Sequence, residues 1–131
     1  MAFNPKQKIL VVDDMSTMRK IIKNMLSKMG CKDLHEADDG APAWKMIQEA
    51  HEAGIPYEFI VSDWNMPQLT GLDLLKNIRS DERFKTLPFL MVTAEAEQAN
   101  VVIAVKAGVS NFIVKPFSIV TMKEKIDKIF P

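Results

Sequence analysis

Four short apolar runs in this sequence are rich in β-branched and aromatic residues: Ile9-Leu10-Val11-Val12, Phe59-Ile60-Val61, Phe89-Leu90-Met91-Val92 and Phe112-Ile113-Val114. Short unbroken apolar runs are what strands show when both faces of their sheet are covered. Amphipathic stretches alternate with them. Ser16 is placed to cap a helix whose apolar residues Met18, Ile21, Ile22, Met25, Leu26 and Met29 form one stripe, stopped at Gly30. A weaker strand over 33–37 follows, and its polarity suits a sheet edge. The second helix is expected from about Pro42, which fits a first helical turn, to Gly54, burying Ala43, Ile47 and Ala50. Leu72, Leu75 and Ile78 mark a third helix, and a fourth runs from about Gln98 to Ala107 before Gly108. Met122, Ile126 and Ile129 line a fifth, which reaches the C-terminus. Five strands alternating with five helices predict an α/β fold, an open doubly wound parallel sheet with helices on both faces. Five strands are too few for an eight-stranded barrel. At 131 residues, without linker or repeat, a single domain over 1–131 is expected.

Composition removes several classes of function. With 47% hydrophobic and 26% charged residues the chain is neither disordered nor of low complexity. Lys+Arg and Asp+Glu are both 17, so the basic excess of a nucleic-acid binder is missing. No apolar run approaches the roughly 20 residues of a membrane helix, and residues 1–8 are too short and polar for a signal peptide. Cys31 stands alone and cannot form an internal disulfide, which fits a reducing compartment. It reads as a small apolar filler near a helix end. A cytoplasmic location is therefore expected, with no membrane insertion.

In a doubly wound sheet, functional residues collect beyond the carboxyl ends of the strands. Here those positions hold Asp13 and Asp14, Asp63, Thr93 and Lys115. Singly, each has a plain structural reading, as a helix cap or a solvated edge charge. Jointly, four strands deliver three carboxylates, a hydroxyl and an ammonium to one edge. Clustered carboxylates raise one another's pKa unless a cation compensates. An all-oxygen set suits Mg²⁺ or Mn²⁺ rather than zinc, and His35 and His51 are not placed to join it. A divalent ion opposite a lysine makes a pocket for a doubly negative group such as a phosphoryl, with a carboxylate as nucleophile and Thr93 able to hydrogen-bond one oxygen. Trp64 reads as a partly exposed wall of this pocket and Trp44 as helix packing. The chain has no G-x-x-x-x-G-K-[ST] loop, no G-x-G-x-x-G turn after its first strand and no G-x-S-x-G elbow, so neither nucleotide binding nor acyl hydrolysis is supported.

Val11-Val12-Asp13-Asp14, Asp63-Trp64-Asn65-Met66-Pro67 with Gly71, Val92-Thr93-Ala94 and Val114-Lys115-Pro116-Phe117 follow one another in an order and spacing that span nearly the whole chain. Together they resemble the receiver domain of two-component response regulators. Asp63-Trp64-Asn65-Met66-Pro67, Ser16-Thr17-Met18-Arg19 and Thr93-Ala94-Glu95-Ala96 point more narrowly to the chemotaxis members of that family. The resemblance implies a flavodoxin-like strand order of 2-1-3-4-5. It implies that Asp63 is the phosphoacceptor, charged from a phosphohistidine of the histidine kinase CheA. Asp14, Asp63 and the backbone carbonyl of Asn65 would hold Mg²⁺ directly and Asp13 mostly through water. Thr93 and Lys115 would bind the phosphoryl oxygens. The Lys115-Pro116 bond is expected to be cis, and Phe112 matches the switch aromatic of the fifth strand. Three positions depart from the best-known chemotaxis members: Phe112 stands where they carry tyrosine, and Glu97 and Gln98 stand where they are basic.

The leading reading is a stand-alone, monomeric phospho-switch with no output domain, because Pro131 follows the fifth helix. It would bind the flagellar motor switch protein FliM when phosphorylated and could be served by a phosphatase. It would catalyse its own Mg²⁺-dependent phosphorylation and dephosphorylation without being a turnover enzyme. A second reading makes it a phosphate sink or phosphorelay shuttle. A third, a metal-dependent phosphohydrolase, sits poorly with adjacent Asp13 and Asp14, since haloacid-dehalogenase-like enzymes place Asp-x-Asp after the first strand. The output face is expected on the fourth helix, fifth strand and fifth helix. There Val102 and Val105 would pack inward, while Val101 lies with Phe112 and Val114 beside an apolar groove for an amphipathic peptide.

Overall fold

The computed structural model describes residues 3–94 and 98–131. Glu95, Ala96 and Glu97, and the side chain of Gln98, lie outside the described residues, so that part of the chemotaxis-type motif and the departure at Glu97 and Gln98 do too. The elements alternate as the apolar runs predict: β1 Ile9–Val12, α1 Ser16–Lys28, β2 Leu34–Ala37, α2 Gly40–Glu52, β3 Phe59–Asp63, α3 Gly71–Ser80, β4 Phe89–Thr93, α4 Gln98–Lys106, β5 Asn111–Val114 and α5 Ile119–Ile129. The five strands form one sheet in the order β2-β1-β3-β4-β5, and every neighbouring pair is parallel. Polar β2 lies at an edge, paired only with β1.

Side chains alternate along each strand and divide the core into two layers. Ile9, Val11, Phe59, Val61, Leu90, Val92 and Ile113 pack against Ile22 and Leu26 of α1 and Met122 and Ile126 of α5. Leu10, Val12, Ile60 and Met91 point the other way, onto Ala43, Ile47 and Ala50 of α2 and Leu74, Leu75 and Ile78 of α3. Buried free Cys31 belongs to the first layer, and Trp44 packs edge-on against Phe84 beside the second. Among the described residues, no helix is long and apolar enough to cross a membrane.

Four local expectations need correction. Ser16 does not cap α1; it is the first helical residue, and Met15 holds the cap position without a side-chain cap bond, its N–H donating to Asp13 Oδ1 at 2.9 Å. Helix α2 begins at Gly40, two residues before Pro42, because Gly40 must meet the backbone of Leu69, where a β-carbon would overlap the Leu69 carbonyl. On α3, Leu74 is fully buried alongside Leu75 and Ile78, whereas Leu72 is only half-buried. On α4 the expected orientation is reversed. Small Ala104 faces the core, while Val102, Ile103 and Val105 are exposed, because Val101 and Ala104, three residues apart on one face, meet Phe112, Thr93 and Trp64 and so turn Val102 and Val105, also three apart, outward.

Gly71 sits where α3 starts beneath the end of β3, its N–H donating to the Trp64 carbonyl at 2.8 Å. A β-carbon there would overlap the Asp63 carbonyl oxygen and press on Met91 Sδ. Gly71→Ala should therefore destabilise the fold by about 1–3 kcal/mol through overpacking, read as a lower urea midpoint. An unchanged midpoint would show that the helix start has space to shift.

Candidate functional site

Parallel strands end at one edge, and the register aligns those ends: Val12 with Ser62, Asp63 with Val92, and Thr93 with Val114. Residues far apart in the chain are brought together in this way. Asp13 follows β1 and is completely buried, whereas Asp14, one residue on, is exposed. Asp63 and Thr93 close β3 and β4 and are each 6% exposed. Lys115 leaves β5 through a cis peptide to Pro116, as expected. Its ammonium donates to Asp63 Oδ1 at 3.1 Å and lies 3.5 Å from Asp13 Oδ2. Asp13, Asp14 and Asp63 each offer a carboxylate oxygen, all within 4.8 Å of one another.

The electrostatics are those of crowded like charges. Burial, then the neighbouring Asp13 carboxylate, pushes the Asp63 carboxyl up, against the pull of Lys115. The Asp13 carboxyl is also pushed up, by burial first, although the Met15 amide and Lys115 oppose it. Asp13 Oδ2 is buried without a hydrogen-bond partner; the ammonium is close enough to attract it but not to bond. An orphaned buried oxygen beside two more carboxylates is a donor set with vacant lone pairs, all hard oxygen. It fits Mg²⁺, which favours one or two carboxylates and keeps several waters.

Around this centre the remaining predicted residues take their places. Asn65 is exposed in the β3–α3 loop, lining one cleft with Asp14, Met66, Pro67 and Thr70 and another with Trp64, Thr93, Ala94 and Asn100. Trp64 is half-buried and forms a wall, as its position after Asp63 predicts. Phe112 lies opposite Met91 in the register, half-buried, with the Lys125 ammonium 5.1 Å from its ring centre. It shares a small pocket with Trp64, Thr93, Asn100, Val101 and Ala104, so Thr93 and Phe112 are linked through common neighbours. His35 and His51 stay away: one meets Asp33 and Tyr57, the other Phe84.

Two residues escape sequence reasoning. Asn100 joins the Thr93 cleft from α4, and an asparagine in a helical turn carries no signal of that. Asp39, which reads as part of an ordinary Asp-Asp-Gly turn, is 4% exposed and accepts N–H bonds from Gln68 at 3.1 Å and Leu69 at 2.8 Å. Burial works against its charge, yet the amides of Leu69 and Gln68, with those of Gly40 and Ala41, hold its carboxyl below the usual range.

Comparison with known proteins places this geometry in context. Residues 9–127 match the family model of the response regulator receiver domain. The chain is 52% identical over 127 residues to chemotaxis protein CheY-3 of Vibrio cholerae, covering 97% of this chain and 94% of that one. It is 52% identical over 123 residues to chemotaxis protein CheY of Pseudomonas aeruginosa, covering 94% and 95%. Among solved structures, it resembles the receiver domain of a sensor histidine kinase from Pseudomonas aeruginosa PAO1 with magnesium coordinated in its active-site cleft. That match has TM-score 0.82 and 25% identity over 96% of this chain and 99% of the other.

The raised Asp63 carboxyl has a consequence for stability. An acid whose folded pKa exceeds its unfolded value, ordinarily 3.8, makes the fold less stable as pH rises from that value through the folded pKa. Asp63→Asn removes this liability. The metal-free variant should melt at a higher temperature than the parent at pH 7, with the gain vanishing below about pH 3.8. A gain over the parent that is absent at pH 7, or the same at both pH values, would contradict the liability ascribed to Asp63.

Proposed function

This chain belongs to the response regulator receiver domain family, and from that premise we propose that it is a chemotaxis phospho-switch charged on Asp63. The observation that carries the reading is the Lys115 ammonium, 3.1 Å from Asp63 and 3.5 Å from Asp13, facing carboxylates from two other strand ends. A carboxylate oxygen of Asp63 attacks the phosphorus of a phosphohistidine on a kinase of the CheA type. The new P–O bond gives an acyl phosphate as the P–N bond breaks, and the imidazole leaves with the bonding pair. Lys115 and the Thr93 hydroxyl donate to the oxygens of the transferred group. Mg²⁺, which Asp14, Asp63 and the Asn65 carbonyl would hold with Asp13 acting through water, would supply charge compensation where two anions meet. Water attack on phosphorus later returns the Asp63 carboxylate and inorganic phosphate, so the protein acts on itself and turns over no substrate.

Output is assigned to the face formed by α4, β5 and α5. Val102 and Val105 point outward on α4, and Val101 and Ala104 share the pocket of Phe112 and Thr93. Binding of the phosphoryl group by Thr93 biases Phe112 inward through these shared neighbours, and the protein then engages the flagellar motor switch protein FliM in the cytoplasm. Lacking a hydroxyl, Phe112 tolerates burial at rest, so the resting state is already biased toward binding.

Incubation with acetyl phosphate and Mg²⁺ should add one phosphoryl group by intact mass. Asp63→Asn and added chelator should each abolish it, and undiminished labelling of the variant would overturn the assignment. Asp14→Ala should weaken Mg²⁺ binding, followed by Trp64 fluorescence, more than Asp13→Ala; the reverse order would exchange their roles. A FliM peptide should bind the phospho-form more tightly, and Phe112→Tyr should enlarge that gain. Equal gains in both proteins reject the resting bias, and no binding by either form favours a phosphate sink or shuttle. Release of phosphate from small phosphate esters in multiple turnovers would favour a hydrolase.

A further inference from the structure

The β3–α3 loop, residues 64–70, carries Asn65 to the acidic centre, and its hold on the rest of the fold is unusual. At its far end the loop closes on itself, the Gly71 N–H donating to the Trp64 carbonyl at 2.8 Å and Thr70 Oγ1 accepting from the Asp73 N–H at 3.1 Å. At its crest it is gripped by the start of α2. Asp39 occupies the N-cap position of that helix, where aspartate ordinarily accepts an N–H of the first turn. Its side chain makes no capping bond of normal geometry, and the first-turn amides of Gly40 and Ala41 add less to its stabilisation than those of Leu69 and Gln68. It reaches across 29 and 30 residues of sequence to the N–H groups of Gln68 and Leu69. Among the described residues no cation forms an ion pair with Asp39, so this buried carboxylate is compensated by backbone amides. The adjoining Gly40 lies so close to the Leu69 carbonyl that a β-carbon would displace the loop. The cleft lined by Asp14, Asp38, Asp39, Pro67 and Gln68 shares Asp14 and Pro67 with the cleft that contains Asn65.

We infer that Asp39 is a positioning residue: by fixing the backbone of Gln68 and Leu69 it holds Asn65 at the acidic cluster and sets the cluster's affinity for Mg²⁺. The inference rests on the functional reading above, in which the Asn65 carbonyl is a ligand. A backbone ligand has no rotamer to adjust; its placement is that of its loop. Partners one step removed from a metal act by orienting the ligands, and their loss typically weakens binding about 10–100-fold.

The test is Mg²⁺ titration of the unphosphorylated full chain by calorimetry and Trp64 fluorescence, with folding verified by circular dichroism. Asp39→Ala should weaken Mg²⁺ binding by about tenfold or more. Asp39→Asn keeps one acceptor oxygen and should lose less. Gly40→Ala, which moves the loop without touching a charge, should reproduce the loss. Arg79→Ala serves as the control for general destabilisation. That guanidinium donates to the carbonyls of Leu87 and Gly108 at the opposite edge of the sheet, so its loss should lower the melting temperature and leave Mg²⁺ affinity unchanged. If Asp39→Ala does not fold, Asp39→Asn decides by the same criterion. Wild-type affinity in the folded Asp39 variants overturns the inference and leaves the functional reading intact. No Mg²⁺ binding by the wild type overturns both.

Discussion

Like charges resist being brought together, and Asp13, Asp14 and Asp63 are held with carboxylate oxygens within 4.8 Å of one another against that resistance. The parallel sheet is what makes this possible. It directs every strand end to one edge, and it is buried on both faces by helices, so the strand ends cannot drift apart. Among the described residues, Lys115 is the one cation that pairs with two of the carboxylates, bridging Asp63 and Asp13 from the end of β5. The same burial that, more than crowding, raises the Asp63 and Asp13 carboxyls leaves Asp13 Oδ2 without a bond. The fold thus carries a local instability at its most polar point, sustained by two layers of apolar packing beneath it.

The fold was legible because its signals are local and redundant. Each buried strand contains an unbroken apolar run, α1, α2, α3 and α5 each carry a stripe, and polar β2 announces an edge. The convergence of Asp13, Asp14, Asp63, Thr93 and Lys115 followed from one rule about strand ends. Contacts that depend on separation in space were hidden. The need for glycine at position 40 is decided by Leu69, the orientation of α4 by the pocket that Val101 and Ala104 share with Phe112, and the bonds of Asp39 by amides 29 and 30 residues away. No periodicity records these. Ser16 misled for a different reason: serine before an apolar stripe signals a cap, but the helix begins at Ser16 itself and leaves the cap position to Met15.

The helices divide the labour unequally. Arg19 and Lys23 of α1 clasp Glu36 of β2 and hold its carboxyl low, Lys23 and then Arg19 contributing most, and Arg19 also donates to the Asp13 carbonyl at 2.8 Å. On the other face α2 and α3 grip the loop that frames the acidic cleft. Helix α4 has lighter duties. Ala104 is its buried anchor, and its branched residues Val102, Ile103 and Val105 are left to solvent, which suits an element free to meet something else.

Phe112 adds a thermal dimension. Its ring is half-buried and ends in carbon, so no hydroxyl hydrogen bond ties it to either side of the β5 surface. Any movement of that ring between solvent and the pocket it shares with Thr93 exchanges hydrated for dry apolar surface and little else. Such an exchange carries a heat-capacity change and a driving force that weakens on cooling. The balance between the two positions is therefore set in part by temperature, and a cell growing cold would loosen the ring from the core without altering a single charge.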